Sequence, residues 1–213
     1  MRKHIICFGD SNTYGQCADP TDCADGGDRF NEDERWPCLL QKKLGDAYYV
    51  TEEGLPGRTT VFDDPHFECL SGLDSIYCCL VSHAPVDLLV IMLGTNDCKE
   101  HLGQNPCGIG YGLDRLLQRA KSIDCWRDGK PNILVIAPPH IREGFDGEYS
   151  GYSSVEKSEK IAKYMEQRAR LRGAAFLDAE GIAEVNTVDF CHLTRKGHAD
   201  LAEKLSEIVQ KLI

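Results

Sequence analysis

The stretch HIICFGDSN, residues 4–12, decides the architecture: a short apolar run stops abruptly at Gly9, Asp10, Ser11 and Asn12. Its apolar character is continuous rather than alternating, which suits a strand buried on both faces of a parallel sheet. The residues that stop it are those that turn a chain or cap a helix. Read alone, Ser11 is more readily a turn or cap residue than a nucleophile. The same strand character recurs at YYV (48–50), DLLVIML (87–93), NILVIA (132–137) and AAFLD (174–178).

Helical periodicity fills the intervals. Trp36, Leu39, Leu40 and Leu44 form one apolar stripe, with Pro37 near its start and Gly45 at its stop. Leu73, Ile76, Tyr77 and Leu80 form a second behind Ser71, which stands where a cap belongs, and Leu113, Leu116, Leu117 and Ala120 a third. Residues 153–173 supply a fourth, with Ser153 and Glu156 at capping-box spacing, and Leu201, Leu205, Ile208 and Leu212 lie on the last. Strands alternating with helices at these lengths imply right-handed βαβ units. The fold expected is α/β: a five-stranded, doubly wound parallel sheet with helices on both faces, flavodoxin-like, in one domain over residues 1–213.

Totals narrow the function. The 213 residues carry a formal charge of -10, with acidic residues crowded between Asp19 and Arg35, a balance that repels nucleic acid and anionic membrane surfaces. The N-terminal apolar run is too short for a signal peptide or a membrane span, so a cytoplasmic protein is expected. Eleven cysteines lie scattered through apolar runs without a C-x-x-C pair, which reads as buried free thiols rather than disulfides or a zinc site. Asp22, Asp25 and Asp28 lack the alternate spacing of a calcium loop.

In doubly wound sheets ligands bind at the carboxyl ends of the strands. The loops there carry Ser11, then Gly57 in EEGLPGRTT, then Asn96 in LGTNDCK, and finally Asp189 and His192 in NTVDFCHLT. Each has an ordinary alternative: turn glycine, helix cap, solvated carboxylate, surface histidine. Together they supply a nucleophile, a base, a carboxylate that orients the base, and donors for an oxyanion. No metal and no cofactor is required by that set.

Four blocks, FGDSN, GLPGRTT, LGTND and DFCH, resemble in order and spacing those of the SGNH/GDSL hydrolase superfamily, whose namesake Ser, Gly, Asn and His match Ser11, Gly57, Asn96 and His192. Thr13 stands where the second glycine of a G-x-S-x-G elbow would be, which argues against the ordinary α/β-hydrolase fold. ERWP, DDP, PVDLLVIMLGTNDCK and APPH are similar to the bacterial arylesterase/acyltransferase branch. That likeness implies hydrolysis of small acyl esters, some acyl transfer, no metal, and homo-oligomeric assembly. Where an acyl-transferring member of the branch has a tryptophan-rich apolar approach, this chain has NTYGQC (12–17), so hydrolysis is expected to dominate.

The sequence therefore predicts a serine esterase. Its catalytic residues would be Ser11, Asp189 and His192, and its oxyanion donors Ser11 N–H, Gly57 N–H and Asn96, with Asp10 and Tyr14 near the substrate. Cys191, beside the base, predicts sensitivity to thiol reagents. The rivals are a carbohydrate acetylesterase, an inactive protein that binds acyl ligands, and a metal-dependent hydrolase built on Asp63, Asp64 and His66.

Overall fold

In the computed structural model, which describes residues 1–145 and 147–213, five parallel strands form one sheet. They are β1 (Lys3–Gly9), β2 (Tyr48–Gly54), β3 (Leu88–Met92), β4 (Ile133–Ala137) and β5 (Ala175–Asp178), in the spatial order β2-β1-β3-β4-β5. The helices are α1 (Ser11–Tyr14), α2 (Trp36–Leu44), α3 (Gly72–Ser82), α4 (Pro106–Lys121), α5 (Gly147–Ser150), α6 (Ser154–Leu171) and α7 (Arg195–Leu212).

Alternate residues of each strand feed two cores. Ile6, Phe8, Leu89, Ile91, Ile133 and Val135 pack under α3, α4 and α6. Ile5, Cys7, Leu88, Val90, Leu134 and Ile136 pack under α2 and α7. Every residue of β3 and β4 is buried, the physical reason their sequences are continuously apolar. Edge strand β2 is only partly covered and extends beyond the apolar YYV through Thr51, Glu52 and Glu53 to Gly54. A half-solvated edge tolerates these residues, and Glu52 pairs with Arg35 at 2.6 Å.

Two expected caps do not form. Ser71 makes no capping bond, its hydroxyl instead reaching Val61 O at 3.4 Å. Ser153 is already helical, because α5 and the 151–153 turn lead almost directly into α6, and Ser154 N–H donates to Gly151 O at 3.2 Å. Thr194 does cap α7, its hydroxyl accepting from Gly197 N–H at 2.9 Å.

The register fixes where the site can be. Gly9 pairs with Gly54 on one side and Met92 on the other, so β1, β2 and β3 end at one level and their outgoing loops emerge side by side. The strand order reverses between β1 and β3, whose chains depart to opposite faces and open a crevice. Gly9 itself is needed for close approach: a Cβ there would lie 2.0 Å from Thr13 Oγ1 and 2.8 Å from Met92 O. Among the described residues no helix is long and apolar enough to cross a membrane, and all eleven cysteines are free thiols.

Candidate active site

Ser11 opens the single-turn helix α1, which Gly15 ends in a left-handed conformation. Asp10 caps the turn, its Oδ1 accepting from Asn12 N–H at 3.0 Å. At the far end of the chain, Asn186 Oδ1 accepts from Val188 N–H at 2.7 Å and Asp189 N–H at 2.9 Å, shaping the loop that presents Asp189. Asp189 Oδ1 accepts from Asn186 Nδ2 at 2.8 Å and from the N–H groups of Cys191 and His192 at 3.0 Å. Its Oδ2 is thereby left facing His192 Nδ1 at 2.5 Å. His192 Nε2 lies 2.8 Å from Ser11 Oγ.

Asn12 locks the two ends of the chain together: its Nδ2 donates to Cys191 O at 3.3 Å and its Oδ1 accepts from Leu193 N–H at 3.0 Å. Neither Asn12, inside FGDSN, nor Asn186, three residues before DFCH, is marked as functional by its residue type alone. The role of Asn12 depends on partners up to 181 residues away, which spacing along the chain does not reveal, whereas Asn186 bonds only its near neighbours Val188, Asp189 and His192, a local Asx turn.

The electrostatics favour an ionised carboxylate behind the imidazole. Burial pushes the Asp189 carboxyl upward, but the His192 hydrogen bond and charge, with the donors on its other oxygen, hold it well below the usual carboxylate range. With Nδ1–H donating to Asp189, Nε2 carries the lone pair that faces the Ser11 hydroxyl. That arrangement is competent to remove a proton from Ser11 Oγ.

Candidate oxyanion donors line the same cavity as the hydroxyl. Neither Ser11 N–H nor Gly57 N–H donates to another described group. Gly57 has φ +85°, a left-handed conformation that L side chains resist, and an added Cβ would meet Leu70 Cδ1 at 2.9 Å. Asn96 Nδ2 gives one hydrogen to Arg58 O at 3.1 Å, while its other has only a long contact to Asp10 at 3.5 Å.

The model of the GDSL-like lipase/acylhydrolase family matches residues 7–199. The chain belongs to that family. It is a carboxylic ester hydrolase of the SGNH/GDSL type, similar over its whole length to solved esterases. One is the aryl esterase of M. smegmatis, at 32% identity and TM-score 0.88, covering 99% of this chain and 100% of that one. Another is a carbohydrate acetylesterase from Sinorhizobium meliloti, at 29% identity and TM-score 0.90, covering 100% of both chains. A carbohydrate acetylesterase family member from the same organism is 31% identical with TM-score 0.89, covering 99% of this chain and 98% of that one. No curated protein sequence matches the chain.

In this GDSL hydrolase, Ser11, Gly57, Asn96 and His192 open onto one cavity of about 500 Å³. Its apolar walls are Pro56, Phe67, Leu70 and Phe145, with Tyr149 at one side, and Gln16, Glu68 and Lys99 add polar groups. Two sequence expectations lie elsewhere. Tyr14 does not line the cavity; its ring packs 3.9 Å from the Arg29 guanidinium carbon. Asp10 is buried behind the serine, and burial pushes its carboxyl up to about 6. Cys191 also lines the cavity, and burial pushes its thiol well up, which disfavours the reactive thiolate form. Lys99 went unnoticed in LGTNDCK because a surface lysine and a pocket lysine read alike in sequence.

Proposed function

We propose that residues 1–213 form a single-domain serine esterase that hydrolyses small acyl esters through an acyl-enzyme. The carrying observation is the unbroken chain from Asp189 through His192 to Ser11 Oγ, with 2.5 Å and 2.8 Å links, at the floor of the cavity. His192 Nε2 takes the Ser11 proton as Oγ attacks the ester carbon. The oxyanion accepts hydrogen bonds from Ser11 N–H, Gly57 N–H and Asn96 Nδ2. His192 then protonates the departing alcohol. Water, deprotonated by the same nitrogen, attacks the acyl-enzyme and releases the acid and free Ser11. Asp189 holds the tautomer and stabilises the imidazolium.

Gln16, Glu68 and Lys99 give the cavity lining polar groups, which supports hydrolysis as the main outcome, with acyl transfer minor. Eleven free thiols fit a reducing compartment, and we place the enzyme in the cytoplasm. Hydrolysis of p-nitrophenyl acetate, butyrate and octanoate by the wild-type chain beside Ser11→Ala tests the reading. Activity that declines with acyl length and vanishes in the variant is expected; equal activity in both proteins refutes it.

The polar wall favours a second reading, in which the alcohol portion is a sugar. Acetate release from acetylated xylan at a rate exceeding that on p-nitrophenyl acetate would support it.

A further inference from the structure

Beside the catalytic residues stands a second cluster that esterolysis does not use. Asp64, His66 and His101 offer one carboxylate oxygen and two ring nitrogens that all lie within 4.8 Å of one another. Asp63, which sequence reading grouped with Asp64 and His66, is not among them. His101, brought in from the turn Glu100–Leu102, completes the set instead. We propose that Asp64, His66 and His101 bind a divalent cation of the zinc class, clipping the 62–70 loop to the Glu100–Leu102 turn.

The geometry suits the ion. The Asp64 side chain is fully buried, and its Oδ1 is oriented by His66 N–H at 2.9 Å, an outer-shell contact of the kind that fixes metal-binding carboxylates. His101 Nε2 lies 3.2 Å from both Asp64 oxygens. Ligands each about 2.0–2.2 Å from a tetrahedral zinc stand about 3.3 Å from one another, so an ion can enter here by displacing the Nε2 proton that now joins His101 to Asp64, with little movement of either heavy atom. His66 is exposed and packs edge-on to the His101 ring with centroids 4.6 Å apart, free to close the remaining distance by a side-chain rotation. Two imidazoles and one carboxylate, with water completing the shell, form a donor set that suits zinc and its first-row neighbours rather than calcium or magnesium.

One feature opposes the ion. Lys99 Nζ lies 3.7 Å from Asp64 Oδ2 with its side chain only 10% exposed, so an ammonium already shares the carboxylate. That charge competes for the carboxylate, so the affinity expected is below that of a closed structural zinc site. The consequence of binding lies in the cavity wall. Phe67, Glu68 and Leu70 follow His66 on one side, and Lys99 precedes His101 on the other, so the clip ties together two loops that face the ester. The inference does not depend on the identity of that ester.

The test is calorimetric titration of zinc chloride into the full chain, repeated with cobalt(II) to read ligand type from its absorption. Wild type is expected to bind one equivalent without thiolate-to-cobalt charge transfer. His66→Ala and His101→Ala should each weaken binding by about tenfold or more, and Lys99→Met should tighten it. His66 is exposed, so its variant keeps the fold. Amide exchange over residues 63–70 should slow on zinc binding in wild type but not in His66→Ala. Equal affinity in wild type and both histidine variants, a thiolate absorption band, or no binding at millimolar zinc would overturn the proposal.

Discussion

Replacing Asp189 by Asn is the sharpest test of the catalytic geometry, because the structure dictates which way the new amide must face. Asp189 Oδ1 accepts three hydrogen bonds, from Asn186 Nδ2 and the N–H groups of Cys191 and His192. An amide nitrogen cannot accept any of them, so the carbonyl oxygen of the variant must occupy that position. Its NH₂ then falls where Oδ2 was, 2.5 Å from His192 Nδ1, and as a donor it demands the lone pair there. The proton moves to Nε2 and points at Ser11 Oγ, so the base is lost with every heavy atom in place. The expected loss in kcat is about 10⁴-fold, or about 5.5 kcal/mol of transition-state stabilisation, with KM little changed. Initial rates on p-nitrophenyl acetate at neutral pH measure it, with circular dichroism to verify the fold. A variant within about tenfold of wild type would show that His192 does not depend on Asp189 for its tautomer, and the reasoning would fail.

Asn96→Ala should lower kcat by about a hundredfold or more, measured by the same assay, and cost about 1–3 kcal/mol in stability because Arg58 O loses its donor; an unchanged kcat removes Asn96 from the oxyanion site. Asn12→Ala strips partners from the buried Cys191 O and Leu193 N–H, and is expected to cost about 1–3 kcal/mol in urea unfolding and to lower kcat by releasing the His192 segment. Acid should destabilise the protein partly through His198, whose Nδ1 accepts from Trp36 N–H at 3.2 Å and whose ring burial pushes from 6.5 down to about 3. The unfolded chain binds that proton first, so the contribution of neutral His198 is whole above pH 6.5 and is lost as pH falls toward about 3. Buried Asp10 acts in the opposite sense, contributing below 3.8 and losing its contribution as pH rises through about 6. Thermal melts across this range should fall less steeply in His198→Asn than in wild type; parallel curves would exclude His198 as the source.

The sequence by itself determined the sheet. Burial on both faces forces β1, β3 and β4 to be continuously apolar, and the stripes of α2, α4 and α7 follow from one-sided packing, so periodicity carries that information locally. It also marked Ser11, Gly57, Asn96, Asp189 and His192, since glycine, amide, hydroxyl and imidazole at strand ends are scarce outside chemistry or turns. Only the tertiary structure brings those residues together. The 2.8 Å contact of His192 with Ser11 spans 181 residues and rests on Asn12, whose side chain ties the Ser11 turn to Cys191 and Leu193, while the register of β1 against β2 and β3 brings the loops of Gly57 and Asn96 level with Ser11. The same distance dependence explains what sequence misplaced. Tyr14 is adjacent to the site in sequence but turned toward Arg29, Lys99 reaches the cavity, and His101 comes to Asp64 from a separate loop. A side chain's direction is set by the helix turn and neighbours beneath it, and those contacts are long-range by nature.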